Sequence, residues 1–399
     1  MTSLQQGELW ELSRRLIGFN TVSALSNLEA AEYLASYLEE SGLTVKVARD
    51  EIEDVTKASV IAWAGPAVEG GLIISGHIDV VPFEGQPGWK SDPLELITDG
   101  EQLYGRGVTD MKVFLAQAIL AAKQQDLSKL RRPLMFILTY DEEVAGQGSQ
   151  RLVKQLPDIL QGFPLPRTAL IGEPTNFEIF HAHKGYATFK ISVRGQGGHS
   201  SAADRGLNAI NRMSDVIQII KETGLELKQQ VTSENQRLFP ENPSTAFNNG
   251  VIQGGLAANM IAETCELTTS MRVAPGDNVE QIITTLRGRI EREISQEMRK
   301  AAPECGVSVS DAISVPPLNS PVNDPFIEVL ARVMGRHSEQ GAPYATDGGP
   351  FQAIGINSYI CGPGLIEQAH QPNESLPVEH FHSGQERLER LIQAWCMQS

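Results

Sequence analysis

Three short apolar runs each end on residues that carry chemistry, and this recurrence constrains the chain more than any other feature. Leu72-Ile73-Ile74-Ser75-Gly76 leads into His77-Ile78-Asp79. The run 134–140 leads into Asp141-Glu142-Glu143, and Ala169-Leu170-Ile171-Gly172 leads into Glu173-Pro174. Unbroken apolar runs of this length, with helical patterns between them, suit strands covered on both faces. Leu9, Leu12, Leu16 and Ile17 share a helical face. So do Leu28, Ala31, Leu34, Ala35 and Leu38, with Asn27 as N-cap and Gly42 as stop. Residues 43–47 and 58–64 read as further strands, and 111–124 and 149–156 as helices. The expected class is α/β, a mostly parallel mixed sheet with helices on both faces. In such sheets the crevice beyond the strand carboxyl ends binds ligands.

From about Tyr186 the rhythm changes. Strand 187–193, helix 207–220, strands 246–253 and 262–273, helix 279–298 and strand 307–315 give the order of a ferredoxin-like βαββαβ unit. Pro316-Pro317 and Pro321 mark a return. The expected division is therefore one domain from residues 1–184 and 317–399, with an inserted domain over 185–316.

Composition excludes several function classes. With 33 Lys+Arg against 49 Asp+Glu, the formal charge is −16, and no basic stripe offers counter-charge to nucleic acid. No apolar run approaches the roughly 20 residues of a membrane span. The opening residues lack a basic segment followed by an apolar one. Cys265, Cys305, Cys361 and Cys396 are widely spaced, without a CxxC pair. These features predict a cytoplasmic protein with reduced thiols that binds neither nucleic acid nor membrane.

A fourth junction, Gly105-Arg106-Gly107-Val108-Thr109-Asp110, precedes the 111–124 helix. Each residue alone has an ordinary reading. His77 could be a packed core histidine, Asp110 a helix N-cap, Glu142-Glu143 a solvated turn, and Glu173 a strand end. Carboxylates directly after a wholly apolar strand are costly without a cation, however. Four such junctions together point to a metal site whose mixed His and carboxylate donors suit zinc or its first-row neighbours. His370, in a loop after the glycine-rich turn at 362–364, could supply a further nitrogen. His181-x-His183 and His380-x-His382 read as ordinary pairs on exposed strands or loops. A dinucleotide fingerprint, a phosphate loop and a Gly-x-Ser-x-Gly elbow are all missing.

Ser75-Gly-His77-Ile-Asp79-Val-Val-Pro82, Tyr104-Gly-Arg-Gly-Val-Thr-Asp110-Met-Lys112 and Tyr140-Asp-Glu142-Glu143 resemble the motifs of the di-zinc aminoacylase and carboxypeptidase G family. Ile171-Gly-Glu173-Pro-Thr175, Gly197-Gly-His199-Ser-Ser201 and Gln368-Ala-His370-Gln-Pro372 extend the likeness in the family's order. Within it, Gly362–Glu374 is most similar to acetylornithine deacetylases. Two positions depart: Val113 replaces the Gly that often follows Asp-Met-Lys, and Ala345-Thr346-Asp347-Gly348 replaces Gly-Thr-Glu-Ala.

The resemblance implies two zinc ions, with cobalt or manganese as alternatives. His77 and Glu173 would hold one, Glu143 and His370 the other, and Asp110 would bridge them. Asp79 would orient His77, and Glu142 would be the general base. The inserted domain would be a lid that forms a homodimer and lends His199 to the partner's site. Asn259 and Arg272 would hold the substrate, and Asp347 would face a substrate ammonium. The implied reaction is metal-assisted hydrolysis of an N-acyl amino acid, N²-acetylornithine first, as in arginine biosynthesis. A succinyl-diaminopimelate desuccinylase, a dipeptidase and a metal-stabilised binding protein without catalysis are the alternatives.

Overall fold

A computed structural model describes residues 7–398. The strands used below are β1 (Thr44–Ile52), β2 (Val55–Ala64), β3 (Leu72–His77), β4 (Leu134–Thr139) and β5 (Thr168–Ile171). They continue with β6 (Gly185–Arg194), β7 (Ala246–Gly254), β8 (Thr264–Val273), β9 (Gly306–Val309), β10 (Ile313–Val315) and β11 (Asn357–Ile360). The chain divides into two compact units. The first comprises the residues through Ala182, Leu318–Glu339 and the residues from Thr346 onward. The second comprises His183–Pro317 and Gln340–Ala345. The short piece 340–345, assigned to the first domain from sequence, packs with the second, where Gly341 N–H donates to the Leu238 carbonyl at 2.9 Å.

The first unit holds a six-stranded sheet in the order β1-β2-β4-β3-β5-β11. β4, β3, β5 and β11 run parallel, and the β1–β2 hairpin joins antiparallel to β4. Alternate residues of the same strands serve opposite faces. Val60, Ala62, Leu72, Ile74, Phe136 and Leu170 pack with helices Glu8–Ile17, Leu28–Glu40, Lys112–Lys123, Pro325–Val333 and Val378–Ile392. Ile61, Ile73, Met135 and Ile137 are buried on the other face, where helix Gln147–Leu160 lies against the sheet. Burying each such large side chain contributes about 1.5–3 kcal/mol. Because both faces are covered, β3 and β4 are buried at every residue and mostly apolar rather than alternating.

Asn27 precedes helix Leu28–Glu40 but its side chain does not cap it. It bonds instead to the carbonyl and the N–H of Ala58 at 2.7 and 2.8 Å, tying the helix start to β2. The expected stop is present, Gly42 having φ +90° just after the helix.

The second unit is an antiparallel sheet in the order β7-β8-β6, with β9 and β10 both paired to the far side of β6. The single strand expected over 307–315 is thus two, interrupted where Ser310 Oγ accepts the Lys190 N–H at 3.0 Å. Helices Ala209–Lys228 and Val279–Ile290 bury Met213, Val216, Ile283 and Leu286 against Phe189, Ile191, Leu267 and Met271. The helix expected over 279–298 is present and runs on to Ala301 with a π turn at Glu291–Ser295 inside it, where Ser295 Oγ accepts the Val307 N–H. Among the described residues β7 pairs only with β8, leaving an edge on which Val251 and Ile252 are 54% and 53% exposed.

Candidate metal centre

Three of the four acid-bearing junctions meet because their strands are neighbours. β3 lies between β4 and β5, all three parallel, so their carboxyl ends share one edge. His77 closes β3, Glu142 and Glu143 follow β4, and Glu173 follows β5. Gly172 permits the last approach: a Cβ there would sit 2.0 Å from the Phe114 ring. Asp110 arrives on the loop before helix Lys112–Lys123. That helix begins after Met111, so Asp110 is not its cap. His370 comes from the loop after Ile366–Gln368.

His77 Nε2 lies 2.9 Å from Asp110 Oδ1 and 4.0 Å from Glu173 Oε1. His370 Nε2 lies 3.2 Å from Asp110 Oδ2 and 3.0 Å from Glu143 Oε2. Asp110 thus faces one imidazole with each oxygen. Two donor groups have ligand atoms within 4.8 Å of one another: His77, Glu142 and Glu173; and His77, Asp110 and Glu143. Glu142, read from the resemblance as a base, is therefore also within donor range.

Asp79 works differently from the simple expectation. His77 Nδ1 is 2.9 Å from the Asp79 backbone carbonyl and 3.6 Å from its carboxylate. With Nε2 turned to the donor cluster, Nδ1–H donates to that carbonyl, which fixes the tautomer. The Asp79 carboxylate instead accepts Ser23 Oγ–H at 2.7 Å and the N–H groups of Glu142 and Glu143 at 3.2 and 3.3 Å. It holds the turn that carries both glutamates. Lys57, 3% exposed, reinforces this turn by donating to Asp141 Oδ1 at 2.8 Å and to the carbonyls of Ser23 and Leu25. Neither Ser23 nor Lys57 was singled out from sequence.

The electrostatics favour a cation. Burial, then the neighbouring Glu173 charge, pushes the Glu142 carboxyl well above its usual range. Burial and Asp110 raise Glu143 to about 7, and burial with Asp110 raises Glu173 far up. Hydrogen bonds donated by its ring to Asp110 and Glu143 raise His370 to about 10. Burial opposes a charge on His77, but its bonds to Asp110 and Asp79 outweigh this and raise it. Burial likewise opposes a charge on Asp110, yet His370 and His77 pull its carboxyl down. Asp79, Asp110, Glu142, Glu143, Glu173 and Asp347 crowd around two imidazoles, so the donor set carries more negative charge than its own residues balance. Such N/O donors fit divalent first-row ions.

Asp347, expected to meet a substrate ammonium, is 2% exposed, and its Oδ2 accepts Thr139 Oγ–H at 2.5 Å. Its charge acts on Glu142 and Glu173, contributing to the rise of both carboxyls. His199, Asn259 and Arg272 belong to the second unit. His199 sits on a short strand beside Met260, with Nδ1 2.8 Å from Ser201 Oγ, and the Asn259 carbonyl accepts the Ser200 N–H. The Arg272 guanidinium lies 5.0 Å from the Tyr186 ring centre. His181 and His183, read as exposed, are buried, and the His181 ring packs 4.9 Å from that of His337.

The model of peptidase family M20/M25/M40 matches residues 73–394. An acetylornithine deacetylase of Photorhabdus laumondii subsp. laumondii is 32% identical, with 97% of each chain covered. One of Proteus mirabilis is 31% identical, covering 97% of this chain and 96% of that one. Among solved structures, an M20 family metallo-carboxypeptidase from Sulfolobus solfataricus superposes with a TM-score of 0.74 at 16% identity, covering 98% of this chain and 99% of that one. A dinuclear metal-binding peptidase of the M20 family from Bacillus subtilis gives 0.60 at 18% identity, with 97% of each chain covered. No helix among the described residues is long and apolar enough to cross a membrane.

Proposed function

Since the chain belongs to peptidase family M20/M25/M40, and is thus a metal-dependent amidohydrolase with a centre for two divalent ions, we propose that it cleaves N²-acetylornithine to ornithine and acetate. The observation that carries the chemistry is the buried excess of carboxylates around His77 and His370 at the ends of three adjacent strands. The substrate choice rests on 32% identity to an acetylornithine deacetylase across 97% of both chains.

In this reading His77 and Glu173 would hold one zinc ion and Glu143 and His370 the other, with Asp110 a donor to both; cobalt or manganese would suit the same donors. The bound ions supply Lewis acidity and lower the pKa of water toward about 7. Glu142 takes the proton of the attacking water and passes it to the leaving amine. Its raised affinity for protons, caused by burial and Glu173, suits that task. Asp79 keeps the His77 tautomer through its carbonyl and keeps Glu142 in place through its carboxylate. His199 donates to the developing oxyanion, and Arg272, with Asn259, receives the substrate α-carboxylate. We further propose a homodimer formed through the exposed β7 edge, with His199 serving the partner's site. The four buried free cysteines support a cytoplasmic setting.

A binding protein without catalysis would have no use for a proton-accepting Glu142 beside the donors. The test is kcat/KM of metal-replete enzyme on N²-acetylornithine, other N-acetyl amino acids, N-succinyl-diaminopimelate and dipeptides. The acetylated substrate should lead. A preference for the succinyl compound or for dipeptides would overturn the substrate while leaving the metal chemistry standing.

A further inference from the structure

Asp110 and His370 belong to loops far apart in the chain, and an assembly outside the donor cluster, buried at Arg106 and Glu374 and partly exposed at Gln86, joins them. Glu374, 1% exposed, accepts hydrogen bonds on both oxygens. Oε1 takes the N–H groups of Thr109 and Asp110 at 2.9 and 3.0 Å. Oε2 takes the Gly107 N–H at 3.1 Å and Arg106 Nη1 at 2.9 Å. A carboxylate has about four acceptor positions, and these four donors all come from the segment that ends on Asp110.

Arg106, also 1% exposed, continues the connection. Its second terminal nitrogen donates to Gln86 Oε1 at 2.7 Å, and Trp89 Nε1 donates to the same oxygen at 3.1 Å. The Trp89 ring centre lies 5.1 Å from the guanidinium carbon. Gln86 then turns its Nε2–H onto the backbone carbonyl of His370 at 2.8 Å. His370 has φ +64°, a conformation that a non-glycine residue keeps only when its surroundings hold it. One side of the assembly thus grips the backbone of Asp110 and the other the backbone of His370. A buried ion pair is weak evidence for stability, so the arrangement calls for a geometric explanation.

We propose that Gln86, Arg106 and Glu374 are positioning residues that fix the separation of Asp110 from His370, and thereby set the affinity of the ion those two share with Glu143. This rests on the two-metal reading above.

The test is a titration of ion-free protein with Zn²⁺, and separately with Co²⁺, reading the number of ions, the affinity of each and the cobalt absorption spectrum. Gln86→Ala removes the hold on His370 and the acceptor of Arg106 Nη2, but keeps both members of the Arg106–Glu374 pair. Glu374→Gln keeps the shape but turns an amide NH₂ toward backbone donors. Gln86→Ala should weaken one ion by about 10–100-fold, as loss of a group orienting a metal ligand does, and leave the other within about threefold, whereas Glu374→Gln, which acts on Asp110, should weaken both. The cobalt spectrum should change accordingly. In a His370→Ala background Gln86→Ala should add nothing, because the ligand it holds is gone. Unchanged affinities in Gln86→Ala, or equal weakening of both ions by it, would overturn the proposal, and this variant decides the matter if Glu374→Gln does not fold. A wild-type chain that takes up fewer than two ions would instead show that the two-metal reading itself has failed.

Discussion

Lys57 and Asp141, 84 residues apart, form an ion pair of 2.8 Å whose side chains are 3% and 6% exposed. Burial raises the Asp141 carboxyl and Lys57 opposes that rise. Lys57→Met leaves a buried charge without its partner and should destabilise the protein by about 3–5 kcal/mol. Adding Asp141→Asn should recover part of the loss. Urea unfolding of the two variants checks this, and a single variant as stable as wild type would show that the pair does not hold the turn.

Glu142 and Glu143 are adjacent but face different partners, and their amide variants should behave differently. Glu142→Gln should keep both ions and slow turnover by about 10²–10⁴-fold, the range for a lost general base. Glu143→Gln should lose an ion. Metal analysis beside kcat decides between them, and the reverse pattern would exchange the two assignments.

Ion uptake should release protons. Without ions, Glu143 titrates near 7 and His370 near 10, both above their ordinary values. Metal ligands must be deprotonated, so affinity should rise with pH across this range. The ion-free protein should respond oppositely. A group whose pKa is raised on folding stabilises below its unfolded value, and that contribution is lost as pH rises through the folded one. For these two groups the loss runs from about pH 4.5 to 10. Calorimetry in buffers of different ionisation enthalpy counts the protons, and uptake without release would contradict the assignment.

If His199 acts across a dimer, chains inactivated by His199→Ala and by Glu142→Ala should regain activity when mixed and allowed to exchange. Each heterodimer would contain one site with both groups. Sedimentation of the wild type gives the oligomeric state, and an active monomer would exclude both parts of this idea.

Arg272→Ala should lower kcat/KM on N²-acetylornithine by about 1.5–3 kcal/mol, the range for hydrogen bonds to charged groups. The loss should shrink on substrates without an α-carboxylate. Equal losses on both kinds of substrate would point to a structural duty for its stacking on Tyr186.

The strand-end residues were legible because an apolar run marks a covered strand and its carboxyl end marks the crevice. His77, Glu142, Glu143 and Glu173 follow from that rule without coordinates. The residues that hold them do not, because Ser23, Lys57 and Gln86 act through contacts across long separations that no local period encodes. His181 and His183 show the opposite failure. Alternation alone suggested exposed positions, yet both are buried, since the sequence carries no sign of the His337 ring that covers one of them. The π turn inside the helix after Ile290 and the division of the last strand leave no mark in the sequence, because apolar periodicity runs straight through a single π turn or a three-residue interruption.

The donor cluster draws on five separate stretches of chain, from His77 to His370, a span of 370 − 77 = 293 residues. A growing polypeptide therefore passes most of its synthesis with an incomplete set of donors, and the last is made only after the residues of β11. In small zinc domains the ion itself draws the chain together. Here the donors follow strands of a sheet covered on both faces, so ion loading is expected to follow folding, and a cell short of metal should accumulate a folded, idle protein rather than an unfolded one.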